Sequence, residues 1–190
     1  CGYAPDRLAG MAMMPTVGAE AAVDEMHRVM RLPGIRGVLL GQYPSGGKNI
    51  SPEDEPFWAA CEEADVPINI HVGLVTAPQG RSSAATAFAG AFTASFRFFD
   101  APVRAAEFIY AKVFDRHPRL NLAFPEVDCG WVPYLKEQMD DRIQRQNPSN
   151  RVEFNLRPGE YFERNIFYSY VVDDYGIRNR HDVGLSQIMW

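Results

Sequence analysis

Short, predominantly apolar runs alternate along this chain with longer stretches of helical character. That alternation constrains the fold more than any other feature. The runs fall at 8–14, 37–40, 66–70, 120–124 and 165–171, and another begins at 187. The helical stretches fall between them, at 19–31, 51–64, 100–116, 131–146 and 174–183, with apolar residues recurring every three or four positions at 19–31 and gathered on one face at 131–146. A run apolar at consecutive positions suits a strand covered on both faces, and the three-to-four spacing describes a helix with one apolar stripe. Strand and helix in repeated alternation predict a largely parallel sheet covered by helices.

Local chemistry agrees. Pro33-Gly34 stops the first helix. Ser51-Pro52-Glu53-Asp54 supplies a cap, an early proline and acidic residues where free N–H groups need them. Pro67 requires its strand to begin close to it, because a proline inside the ladder loses a donor. Residues 72–83 have loop composition, and 84–99 form an aromatic-rich insert with helical character that contains Phe88, Phe92, Phe96, Phe98 and Phe99. Those rings could line an apolar pocket, cover the mouth of a site, contact another subunit or simply pack.

A doubly wound sheet and a (β/α)8 barrel share this order of elements. No GxGxxG or GxxxxGK[ST] segment is present, which removes the usual nucleotide-binding form of the former. Six strands in 190 residues leave a barrel of roughly 250 residues about two strands short. The expectation is therefore an incomplete (β/α)8 TIM-type barrel forming one domain over 1–190.

Composition narrows the function classes. The formal net charge is −5, and the nearest basic group, Arg142, Arg145 and Arg151, is interrupted by Asp140, Asp141 and Glu153, so no nucleic-acid partner is expected. Cys1, Cys61 and Cys129 fit neither a disulfide framework nor a thiolate zinc motif, which favours a reducing, cytoplasmic setting. No apolar run approaches membrane-spanning length, and the N-terminus has no signal-peptide pattern.

His71 is the foremost candidate for chemistry. It closes the strand 66–70 and precedes glycine-containing loop sequence, and in parallel α/β folds sites are built where strands exit. An imidazole there can ligate a metal or exchange protons, or it can be a rim histidine bonded to a loop. Glu126 and Asp128 follow strand 120–124 at the same expected mouth. Glu126 can hold water or act as a base, and Asp128 also fits a cap for helix 131–146. Asn69 shares the strand face of His71 and suits a buried, satisfied amide. Lys48 lies in a mouth loop, where it would meet an anionic substrate or remain solvated. Cys129 and Cys61 are expected to be buried thiols, and His27, His117 and His181 to lie away from the mouth.

Four segments taken together resemble the amidohydrolase-related family that includes the aminocarboxymuconate-semialdehyde decarboxylase-like enzymes. They are the stretches from Pro56 to His71, from Phe124 to Tyr134, from Arg157 to Asn165 and from Val183 to Trp190. The resemblance implies a (β/α)8 barrel in which this chain supplies roughly strands 3 to 8. It makes His71 the metal-binding histidine that ends the fifth strand, with zinc the expected divalent ion. It places Glu126 where relatives commonly carry a catalytic histidine. The family's His-x-His pair would lie upstream of Cys1, and its metal-binding Asp beyond Trp190. The isolated chain is accordingly expected to show little activity. The leading expectation for the full-length protein is a metal-dependent hydrolase acting on a small molecule, with Glu126 orienting water or shuttling a proton. The alternatives are a metal-dependent decarboxylase of an aromatic or unsaturated carboxylic acid, and a truncated, non-catalytic barrel serving in assembly. A homo-oligomer is compatible with any of the three.

Overall fold

The computed structural model describes residues 2–71, 95, 98–150 and 152–190. The loop and most of the aromatic insert expected over 72–99, including Phe88, Phe92 and Phe96, lie outside the described residues.

Six strands form one parallel sheet in sequential order: β1 (Gly10–Met13), β2 (Ile35–Leu40), β3 (Ile68–Ile70), β4 (Leu122–Phe124), β5 (Ile166–Ser169) and β6 (Ile188–Met189). Helices α1 (Ala19–Met30), α2 (Glu55–Glu63), α3 (Asp100–Tyr110), α4 (Val113–Arg116), α5 (Val132–Asn150), α6 (Pro158–Asn165), α7 (Asp174–Arg178) and α8 (Arg180–Val183) connect them. The architecture is the expected α/β fold with a parallel strand core, consistent with an incomplete TIM-type barrel, and β1 and β6 are its edge strands. No helix among the described residues is long and apolar enough to cross a membrane.

Strand register sorts side chains onto two faces. Val38, Ile68, Leu122 and Ile166 are aligned across β2 to β5, as are Leu40 with Ile70 and Phe124 with Tyr168. All are buried in the core, together with Met26, Trp58, Cys61, Phe108, Val132 and Phe162 of the helices. Trp58 meets Phe108 edge-on at 5.2 Å, and Phe108 stacks on Phe114 at 5.8 Å. Such ring pairs contribute about 0.5–1.5 kcal/mol each beyond their burial. The opposite face carries the aligned layer Met13, Leu39, Asn69, Ala123 and Phe167. Asn69 is a satisfied buried amide there, donating to the Val38 carbonyl at 3.0 Å. Gly37 makes room in this layer, because a Cβ would stand 2.7 Å from Met11 Sδ and 3.1 Å from Asn69 Nδ2.

Several element boundaries differ from expectation. The helix expected over 100–116 breaks at Lys112, which is left-handed with φ 58°, and the one over 174–183 breaks at Asn179. Helix α6 was not expected at all. It starts at Pro158, and Glu160 Oε2 reaches back to accept the Arg157 N–H at 2.8 Å. The strand expected over 66–70 is confined to Ile68–Ile70, and the Pro67 carbonyl still takes the Val38 N–H at 3.1 Å.

Candidate functional site at the strand-exit rim

Because every strand runs in the same direction, all six exit at one rim. β3 delivers His71 there, on the Asn69 side of the strand by the two-residue period. β4 ends at Phe124 and places Glu126 two residues beyond it. His71 Nε2 lies 3.0 Å from Glu126 Oε2, although 55 residues separate them in sequence. Both side chains remain open, at 43% and 58% exposure, so a small molecule can reach them. An imidazole bonded to a carboxylate can hold a proton or pass it to a bound reactant.

The loop holding Glu126 has an unusual backbone. Glu126 and Asp128 both have positive φ, 56° and 58°, a conformation that ordinary L residues seldom adopt. Neighbouring bonds to the β5 exit hold it. Ser169 Oγ accepts the Glu126 N–H at 2.8 Å, and the Ser169 carbonyl accepts the Val127 N–H at 3.1 Å. Asp128 does not cap the following helix as expected; its Oδ1 accepts the Val171 N–H at 2.9 Å. Asp173 Oδ2 accepts the N–H groups of Cys129 and Gly130, each at 2.6 Å. Burial pushes the Asp173 carboxyl up, but the backbone N–H groups of Cys129, Gly176 and Gly130 outweigh it, and its pKa falls below the usual value. Burial, followed by the nearby Asp173 charge, pushes the Cys129 thiol up to about 12, which suits an inert thiol better than a nucleophile.

The neighbouring rim loop is anchored separately. Fully buried Asp54 accepts the Ser45 N–H at 2.8 Å and the Ser51 N–H at 2.9 Å. Arg104 donates to the Lys48 carbonyl at 3.0 Å and pairs with Glu107, whose other oxygen takes the Ile50 N–H at 2.6 Å. The Lys48 side chain itself is exposed. Of the other histidines, His117 is buried against α2 ahead of β4, where its two ring nitrogens lie 2.9 Å from Glu55 and 3.3 Å from Glu62.

The sequence singled out His71 and Glu126, and the structure brings them together. It missed Ser169 and Asp173. The cap-like Asp173-Asp174-Tyr175-Gly176 stretch after an apolar run was a visible signal for the helix start, though not for the loop that Asp173 also holds. As a metal centre the arrangement is incomplete. Among the described residues no three His, Cys, Asp or Glu side chains converge closely enough to hold an ion. One His71 nitrogen already faces Glu126, and two donors do not make a cage.

Comparisons with known proteins correct the expected chemistry. A family model described as Amidohydrolase matches residues 1–146. The gamma-resorcylate decarboxylase of Rhizobium sp. (strain MTP-10005) is 26% identical over 172 residues, covering 87% of this chain and 52% of that protein. The chain thus spans about half the length of the curated relatives it matches. The crystal structure of 2,6-dihydroxybenzoate decarboxylase from Rhizobium superposes with a TM-score of 0.76 at 24% identity, covering 100% of this chain and 61% of that one. The 5-carboxyvanillate decarboxylase of Novosphingobium aromaticivorans, complexed with manganese and 4-hydroxy-3-methoxy-5-nitrobenzoic acid, gives 0.78 at 21%, covering 100% and 55%.

The expectation of a water-activating hydrolase is overturned, because these relatives are decarboxylases. So is the choice of zinc, since manganese is the ion bound in three of the similar decarboxylase structures. The narrower likeness to aminocarboxymuconate-semialdehyde decarboxylases gives way to gamma-resorcylate and 5-carboxyvanillate decarboxylases. What stands is the broader kinship: this chain belongs to the amidohydrolase family.

Proposed function

We propose that the full-length protein carrying this chain is a non-oxidative decarboxylase of a hydroxylated aromatic carboxylic acid. The contact between His71 and Glu126 at an open strand-exit rim is the observation that carries the reading, and the decarboxylase relatives supply the substrate class.

The reaction replaces a carboxylate with a proton. A ring hydroxyl beside the carboxylate raises electron density on the carbon that bears it. That carbon takes a proton, the bond to the carboxylate breaks, its electron pair restores the aromatic ring, and carbon dioxide leaves. The protein must therefore hold one proton near the ring carbon and release it on demand. Glu126 would deliver that proton, and His71, bonded to it, would hold the carboxyl group in place. The ring would lie against the inner sheet layer, where Leu39, Ala123 and Phe167 offer apolar contact and Asn69 is already satisfied within the protein. A divalent ion of the manganese kind would belong to this reading of the whole protein; His71 would be one of its ligands, the others would come from outside the described residues, and the ion would stabilise negative charge on the substrate. The proton-handling steps need only His71 and Glu126.

The test is release of carbon dioxide from a panel of hydroxylated benzoic acids by the full-length gene product supplied with Mn2+. Turnover should fall about 100-fold or more in both His71→Ala and Glu126→Gln. No release from any acid in the panel, or turnover indifferent to both substitutions, would defeat the proposal. The isolated 190-residue chain should turn over little, because its described residues bring only two donors together.

A further inference from the structure

We infer that Asp173, seconded by Ser169, is a positioning residue for Glu126: it sets where the carboxylate stands by gripping the backbone of the loop that carries it. The inference rests on the reading of Glu126 as a proton-handling group.

Glu126 and Asp128 both occupy the left-handed region, with Val127 between them. Each such residue costs on the order of 1 kcal/mol, and the conformation persists only where its surroundings determine it. Here those surroundings are the β5 exit and the turn behind it. Four contacts fix the loop from one side: Glu126 N–H to Ser169 Oγ, Val127 N–H to the Ser169 carbonyl, and Cys129 and Gly130 N–H to Asp173 Oδ2. A return bond from Val171 N–H to Asp128 closes the clasp.

Asp173 could be simply the N-cap of α7, and its Oδ1 does accept the Gly176 N–H at 2.8 Å. A cap uses one oxygen. The second oxygen serves the other loop, with two N–H groups at 2.6 Å, and the packing leaves that carboxylate no slack. A Cβ on Gly130 would stand 2.9 Å from Asp173 Oδ1, and one on Gly176 would stand 2.4 Å from Oδ2 and 2.7 Å from Cys129 Sγ. Both glycines therefore keep space for a carboxylate that bridges two loops. Asp173→Asn retains a single carbonyl oxygen, so it can cap α7 or hold the Glu126 loop, but not both.

The experiment is a double-mutant cycle on the full-length protein, measuring kcat and KM for Asp173→Asn, Glu126→Gln and the pair. Asp173→Asn should lower kcat about 10- to 100-fold and leave KM within about twofold, since a misplaced catalytic group fails in the transition state. In the Glu126→Gln background it should add nothing further. Ser169→Ala should show a smaller loss with the same non-additivity, and it carries the test if Asp173→Asn does not fold. Asp140→Asn on α5, which takes the charge from another carboxylate that accepts a backbone N–H, that of Gly159, but does not touch the Glu126 loop, serves as the control and should keep its kcat. Losses that multiply in the double variant, or an equal kcat loss in Asp140→Asn, would overturn the inference. If Glu126→Gln leaves kcat intact, the proposed function fails instead. Amide hydrogen exchange at residues 126–130 then decides: faster exchange in Asp173→Asn supports the clasp, and unchanged exchange overturns it.

Discussion

Two histidines in this chain each meet glutamate, and the two places have opposite characters. His71 and Glu126 touch at the strand-exit rim, with 43% and 58% of their side chains exposed and the glutamate on a strained loop. His117 sits ahead of β4 with its side chain 10% exposed, between Glu55 and Glu62 of α2. Around it the polar groups are shared out: Glu55 also pairs with Arg116 at 2.6 Å, and Glu62 takes the Arg119 N–H at 2.8 Å. The same two residue types thus make an accessible pair on one side of the sheet and a sheltered brace on the other. In barrels of this kind, exit loops carry chemistry and the opposite end carries stability, and exposure and backbone strain differ between the two places in the sense that the proposed roles require.

The sharpest way to break that contrast is to exchange the readouts. His71→Ala should cut turnover about 100-fold or more while shifting unfolding free energy by less than about 0.5 kcal/mol, because an exposed pair contributes little to stability. His117→Ala should do the reverse. It removes a buried ring bonded to two carboxylates, so the full-length protein should lose about 1–3 kcal/mol in urea unfolding and keep its kcat at temperatures well below the transition. A large stability loss in His71→Ala, or a kcat loss in folded His117→Ala, would erase the distinction.

Much of the fold was legible because its signals are local. Residues 37–40 announce β2 by unbroken apolar character, 120–124 announce β4 by apolar character broken only at Asn121, and Pro33-Gly34 closes α1. The boundaries that escaped depend on single residues whose conformation follows from tertiary contacts. Lys112 turns left-handed and splits α3 from α4, which no periodicity foretells. Helix α6 had a readable start in Pro158 and Glu160, but only eight residues and one buried stripe to mark it. At the rim, strand ends predict where His71 and Glu126 stand, since in a parallel sheet all exits share one side. The hold on the Glu126 loop was not legible: Asp173 lies 47 residues from Glu126, and its second oxygen serves backbone groups that any sequence would possess.

The mildest test concerns acid. Arg116 binds Glu55 through two nitrogens, at 2.6 and 2.8 Å, and holds its carboxyl below the usual range; burial opposes this and His117 adds to it. A carboxylate with a depressed folded pKa contributes stability that is complete above its unfolded value of about 4.3 and is lost as pH falls through the folded value. Wild type should therefore exceed Glu55→Gln in urea midpoint by a constant margin at pH 6–7, and the margin should shrink below about pH 4. Solvent screening at a side chain 35% exposed keeps the margin under about 1 kcal/mol. The measurement bears on the comparison because the brace includes an ion pair whose charge must persist, whereas the rim pair is proposed to move a proton. A margin that widened in acid would mean that Glu55 is stabilised in its protonated form, and the brace around His117 would then have to be assigned to packing alone.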